Sequence, residues 1–190
     1  GDVYKRQLLL DPYFSATKIK WILDNVENAR KMAENGELCF GTIETYLIWN
    51  LTEEKNHKTD ATNALRTMLM NLETLGWDDS LLEIFGIPKN ILPEICSCDD
   101  NFGSIGACDQ NFPVTGVIGD QQSALFGQNC FEFGEMKSTY GTGCFLMVNT
   151  KERIYKSDAR LLSTVGCMLG NTVSYALEGS IFSAGTSIQW

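Results

Sequence analysis

Apolar positions recur at helical spacing in the first part of the chain and at alternate positions in the last. Ile19, Ile22, Leu23, Val26, Ala29 and Ala33 repeat on one helical face behind Ser15, and Asn35-Gly36 supplies a stop. Residues 15–34 therefore read as one long amphipathic helix. Thr42 caps a second, with Ile43, Tyr46, Leu47 and Leu51 on a common face. Residues 59–72 carry two signals: a short helix capped by Asp60, then strand-like alternation of Met68, Met70 and Leu72. Asp78-Asp79 opens a further helix through Leu81, Leu82 and Phe85, closed by Gly86 and Pro88. Residues 97–112 are polar and glycine-rich, a loop or a loose hairpin.

From Val114 onward the pattern changes. Residues 114–118 read as a short apolar strand and 121–128 as a short helix. Residues 136–140 and 144–148 pair around Gly141-Thr142-Gly143, where glycine accommodates positive φ. Residues 162–168 and 172–177 form a second hairpin through Gly170-Asn171. Ser180 opens a last helix with Ile181, Ala184, Gly185 and Ile188 on one side. The whole is an α/β chain, helical first and hairpin-rich later, with a domain boundary expected between Gly127 and Gly134.

Composition narrows the classes. The chain has 190 residues, 44% hydrophobic, enough for a core in one domain or in parts of two. Its net charge of −9, with no basic run interleaved with aromatics, speaks against a nucleic-acid partner. No apolar stretch is long enough to span a bilayer. The seven cysteines, an odd number, fit reduced thiols in a cytoplasmic protein better than a disulfide framework. Cys96, Cys98 and Cys108 lack the paired spacing of a zinc site, and the single histidine, His57, is distant. We read them as loop residues without a metal. Residues 1–7 have no apolar period, and Asp2 to Gln7 looks like the translation of a sequencing-library adaptor, a scar to be left out of fold reasoning. Trp190 ends the chain inside a helical pattern without a stop signal, as an internal fragment of a longer protein would.

Most of the candidate chemistry lies between residues 117 and 145, with Gly185 further on. Asp120 follows Val117-Ile118-Gly119 at the mouth of a helix. An aspartate there is commonly an N-cap, yet in an open α/β sheet the same position faces the ligand cleft. As a proton acceptor it would orient an attacking hydroxyl, which is most of what a protein contributes to phosphoryl transfer. Gln121 beside it would hold a second hydroxyl or be an ordinary first-turn residue. Thr142 between two glycines is either a plain turn or a phosphate contact, since glycines let backbone N–H groups approach an anion. Phe145 reads as core or as the apolar wall of a small polyol pocket. Gly185, inside the last helix, needs a reason worth about 1 kcal/mol against alanine. Close packing against another backbone is one reason, and approach of an adenine or ribose is the other.

Taken together, residues 117–127 (Val-Ile-Gly-Asp-Gln-Gln-Ser-Ala-Leu-Phe-Gly), 138–145 (Ser-Thr-Tyr-Gly-Thr-Gly-Cys-Phe) and 175–190 resemble the FGGY carbohydrate kinases. Asp11-Pro12-Tyr13-Phe14-Ser15-Ala16-Thr17-Lys18-Ile19-Lys20-Trp21 resembles the family's first signature segment. The likeness runs in order from about Leu8 to Trp190. Gly-Asp-Gln-Gln and Tyr-Gly-Thr-Gly-Cys-Phe favour glycerol over a larger sugar as the substrate. The resemblance implies an actin-like ATPase fold of two ribonuclease-H-like domains, with the active site in the cleft between them. On it, residues 8–128 are the C-terminal part of the N-terminal domain and 129–190 the beginning of the C-terminal domain. It implies Asp120 as catalytic base, Tyr13, Asp120, Gln121 and Phe145 as glycerol contacts, and Thr142, Gly185 and Gln189 as nucleotide contacts. ATP and magnesium (Mg2+) are the implied cofactors, with the metal ligands and the remaining polyol contacts upstream of Leu8. Glycerol and ATP or ADP are the implied partners, and homo-oligomer formation by the full-length enzyme is left open. Two alternatives stand beside this: a kinase for another small polyol or sugar, and an inactive truncated product.

Overall fold

The computed structural model describes residues 11–107, 110–159 and 161–190. The adaptor-like residues 1–7, the apolar residues 8–10 and Cys108 lie outside them. The chain forms two compact units, Leu10–Val117 and Ile118–Trp190. No helix among the described residues is long and apolar enough to cross a membrane.

The first unit is mainly helical. Helix α1 (Ser15–Asn25) buries Ala16, Ile19 and Leu23, and α2 (Ala29–Glu34) buries Ala29 and Ala33. The single helix expected here is broken at Asn28, which takes a left-handed φ of 60°. The reason is phase. Ala29 follows Leu23 by six residues, so in a straight helix it would sit about a third of a turn off the buried stripe. The break re-aims α2 so that both alanines reach the core. Val26, in phase with α1 but next to the break, is left exposed.

Helix α3 (Ile43–Leu51) follows Thr42, and β1 (Lys58–Asp60) pairs in parallel with β2 (Glu94–Cys96). Asp60 caps α4 (Ala61–Ala64) by accepting the Thr62 N–H at 2.8 Å, as expected. The strand expected through Met68, Met70 and Leu72 does not form. Met68, Leu69 and Met70 are all buried, with a single bridge from Met70 to Trp77, so the alternation does not mark one face of a sheet. Asp78 caps α5 (Asp79–Phe85), its Oδ1 accepting from Ser80 N at 3.0 Å and Leu81 N at 3.1 Å. Strands β3 (Ser104–Ala107) and β4 (Gln110–Pro113) form the loose hairpin. The strand expected over residues 114–118 is extended chain outside any sheet. Val114 exchanges backbone bonds with Phe102 and Gly103, Val117 donates to Cys98, and both valines pack on Ile48, Cys96 and Phe102.

The second unit is a four-stranded antiparallel sheet in the order β5-β6-β8-β7, with helix α6 (Asp120–Gly127) upon it. The strands are β5 (Met136–Tyr140), β6 (Cys144–Lys151), β7 (Leu162–Leu169) and β8 (Thr172–Ile181). Both expected hairpins form. Leu125 of α6 packs with Cys130, Met147 and Ala176, and Gln122, also buried, donates from Nε2 to Thr164 Oγ1 at 3.3 Å. The last helix is shorter than expected: α7 covers Gly185–Gln189 only. Ser180 and Ile181 instead extend β8, paired with Phe145 and Cys144, because ladder bonds to β6 are available there.

Candidate active site

Helix α6 is anchored through Gln122 and Leu125, which leaves its first residue at the surface. Asp120 is exposed, and the N-cap position is taken by Gly119. The carboxylate thus does not cap the helix in the way Asp60 and Asp78 do. Its Oδ1 accepts the backbone N–H of Gln121 at 2.7 Å, and Oδ2 has the Gln121 side-chain Nε2 at 3.5 Å. A carboxylate has about four acceptor positions, so this one retains capacity for a ligand hydroxyl. Its negative charge in the first turn also complements the helix dipole.

Gln121 turns back toward the sheet, and its Oε1 accepts from Lys137 Nζ. Lys137 is 5% exposed on β5, which is unusual for a lysine. Its ammonium also donates to Thr139 Oγ1 at 2.9 Å and toward the Phe145 carbonyl at 3.5 Å. Lys137 is the site residue that sequence reasoning missed. The signal was the strand period: Lys137 and Thr139 lie opposite Met147 and Phe145, and Met147 is a core residue. An inward lysine at that position must find acceptors. It finds them in Gln121 and Phe145, two of the residues singled out above, and joins them through one ammonium.

The turn and the last helix come together. Ala184 N donates to Thr142 O at 2.8 Å and Gly185 N to Gly141 O at 3.0 Å. A Cβ on Gly185 would lie 2.4 Å from Gly141 O, and one on Gly143 would lie 2.7 Å from Ile181 O. Both positions therefore require glycine for close backbone packing. Thr142 and Gln189 are exposed beside this junction, and the Phe145 ring lies against Gly143. Tyr13 belongs to the other unit, 59% exposed just before α1, its ring edge-on to Phe14.

The first unit holds two further buried titratable groups, Asp60 and Cys96, whose pKa is shifted by burial. Asp60 is fully buried and also accepts from Asn63 Nδ2 at 2.6 Å and Cys98 Sγ at 3.6 Å. Burial pushes its pKa above the usual carboxylate range, against the hydrogen bonds from Thr62 and Asn63. Burial likewise pushes the Cys96 thiol up to about 12. Among the described residues no three His, Cys, Asp or Glu side chains are gathered to hold a metal ion.

The chain has counterparts among known proteins in both sequence and fold. Residues 2–127 match the FGGY family of carbohydrate kinases, N-terminal domain, and the chain belongs to that family. The chain is 55% identical over 188 residues to the glycerol kinase of Marinomonas sp. (strain MWYL1), covering 98% of this chain and 38% of that relative. It is 57% identical over 186 residues to the glycerol kinase of Fusobacterium nucleatum, covering 96% of this chain and 37% of the relative. Among solved structures, the Plasmodium falciparum glycerol kinase with ADP superimposes with a TM-score of 0.93 at 43% identity, over 100% of this chain and 39% of that one. The gluconate kinase of Lactobacillus acidophilus, at 21% identity and a TM-score of 0.82, shares the fold over 100% of this chain and 38% of its own. The fold is thus that of the FGGY kinases, the actin-like ATPase architecture. The chain spans less than two-fifths of the length of these relatives, 38% in the Marinomonas case.

Proposed function

We propose that the complete protein is an ATP-dependent glycerol kinase, transferring the γ-phosphoryl group of ATP to a terminal hydroxyl to give sn-glycerol 3-phosphate and ADP. Identity of 55% to a glycerol kinase across nearly the whole chain supports the substrate, and likeness to a glycerol kinase with ADP supports the nucleotide. The observation that carries the mechanism is the exposed Asp120 carboxylate, released from capping and flanked by the amide of Gln121. In this reading Asp120 accepts the proton of the attacking hydroxyl as the O–P bond forms and ADP leaves. Gln121, Phe145 and Tyr13 contact the polyol, and Thr142, Gly185 and Gln189 contact the nucleotide.

Magnesium is the expected companion of ATP and would neutralise phosphate charge. The described residues do not by themselves form a site for it, and no step is assigned to the ion. The family match ends at residue 127, which supports a boundary between the N-terminal domain and the start of the C-terminal domain near residues 128 and 129. The same reading makes the cytoplasm the compartment and leaves homo-oligomer formation to the full-length enzyme. The experiment is a coupled ADP-release assay on the full-length protein with glycerol, larger polyols, pentuloses and gluconate. Glycerol is expected to give the highest kcat/KM. A higher value for any other member of the panel would replace glycerol in the proposal.

A further inference from the structure

The contact between Lys137 and Gln121 determines which way an amide points. An amide's oxygen only accepts and its NH2 only donates, while a lysine ammonium has three donors and no acceptor. Facing Lys137, Gln121 must present its carbonyl oxygen inward. Its NH2 group is then turned toward the Asp120 carboxylate, at 3.5 Å from Oδ2. We infer that Lys137 is a positioning residue, a buried lock that makes Gln121 a donor and leaves Asp120 an acceptor on the ligand side.

That arrangement has a chemical consequence. An alcohol oxygen both donates and accepts, so one hydroxyl, or two neighbouring ones, can give a proton to Asp120 and receive an N–H from Gln121. With the amide reversed, two acceptors would face the ligand and this pairing would be lost. Other features of the second unit tie the lock to the sheet rather than to a mobile loop. Lys137 pairs with Met147, which is fully buried, and Glu178 lies on the same cross-strand row on the far side of Met147, also buried. Thr139, which shares the ammonium, pairs with Phe145. The lock therefore also fixes the aromatic wall relative to the amide.

This inference rests on the proposed polyol-kinase reading, and its test separates the two. In the full-length enzyme, Lys137→Met keeps the buried aliphatic stem and removes the donor. It is expected to lower kcat/KM for glycerol about tenfold while leaving KM for ATP within about twofold, the loss of about one hydrogen bond to the amide. Gln121→Ala should cost about as much, and the double variant should be no worse than Gln121→Ala, because Lys137 acts through Gln121. Losses that multiply in the double variant would overturn the lock. Gln121→Glu supplies a second arm that does not depend on Lys137→Met folding. A carboxylate satisfies Lys137, so Tm should not fall, but it offers an acceptor where a donor is required, and KM for glycerol should rise about tenfold or more. An unchanged KM would equally overturn it. If the wild-type enzyme fails on glycerol but uses another polyol, the substrate assignment falls, and the same cycle run with that polyol still reads the lock.

Discussion

Each unit buries a charged or chargeable side chain, and each holds it differently. In the first, Asp60 is met by Thr62 and Asn63, two and three residues further on, and by Cys98 from across the fold. Its bonds close a helix start, and the group is absorbed by local structure. In the second, Lys137 draws on Gln121 at the head of α6, Thr139 on its own strand and Phe145 on the next. Its bonds gather side chains from separate elements around an exposed carboxylate. A buried polar group whose partners are its sequence neighbours is doing a capping job, while one whose partners converge from several elements organises a surface.

The largest effect is expected at Asp120. Asp120→Asn in the full-length enzyme should reduce kcat about a hundredfold or more, since the amide cannot take the proton, with thermal stability little changed because no cap is lost. Steady-state kinetics and a melting curve check both halves. Next in size is Gly185→Ala, whose Cβ would meet the Gly141 carbonyl. Prising the turn from α7 should raise KM for ATP about tenfold and cost about 1–3 kcal/mol, read by kinetics and denaturant unfolding.

In the first unit the corresponding variant is Asp60→Ala. It should cost about 1–2 kcal/mol as a lost cap and leave every kinetic constant within about twofold. The pH dependence has a definite sign. Burial raises the Asp60 pKa in the folded protein, so its contribution favours folding most below the ordinary carboxylate range near about 3.9 and shrinks as pH rises through the shifted value. The stability gap between wild type and Asp60→Ala should therefore be wider in acid than at neutral pH. The smallest effect is in thiol labelling. Exposed Cys39 should react with iodoacetamide at neutral pH well before buried Cys96, whose thiol is pushed up to about 12. Peptide mapping after a short exposure would show the order.

What the sequence disclosed follows from how local the cause is. The caps at Asp60 and Asp78 and the hairpin through Gly170-Asn171 rest on neighbouring residues, and they were readable. The break at Asn28 was not, because it answers to a mismatch of phase between two buried faces. The strand expected at 114–118 and the long last helix failed for one reason: an apolar run or a helical period does not say which backbone partner is within reach. Lys137 was overlooked because lysine in an alternating strand ordinarily marks the solvent face. The expected hairpin already sets Lys137 opposite Met147; the structure adds that Met147 lies in the core, which turns that row inward.

The most direct measurement is a crystal structure of the full-length enzyme with glycerol and a non-hydrolysable ATP analogue. An Asp120 oxygen is expected within about 2.6–3.2 Å of the terminal hydroxyl, with the Gln121 NH2 on the ligand side and its carbonyl on Lys137. An Asp120 carboxylate turned away from the polyol, with another group in contact with that hydroxyl, would contradict it.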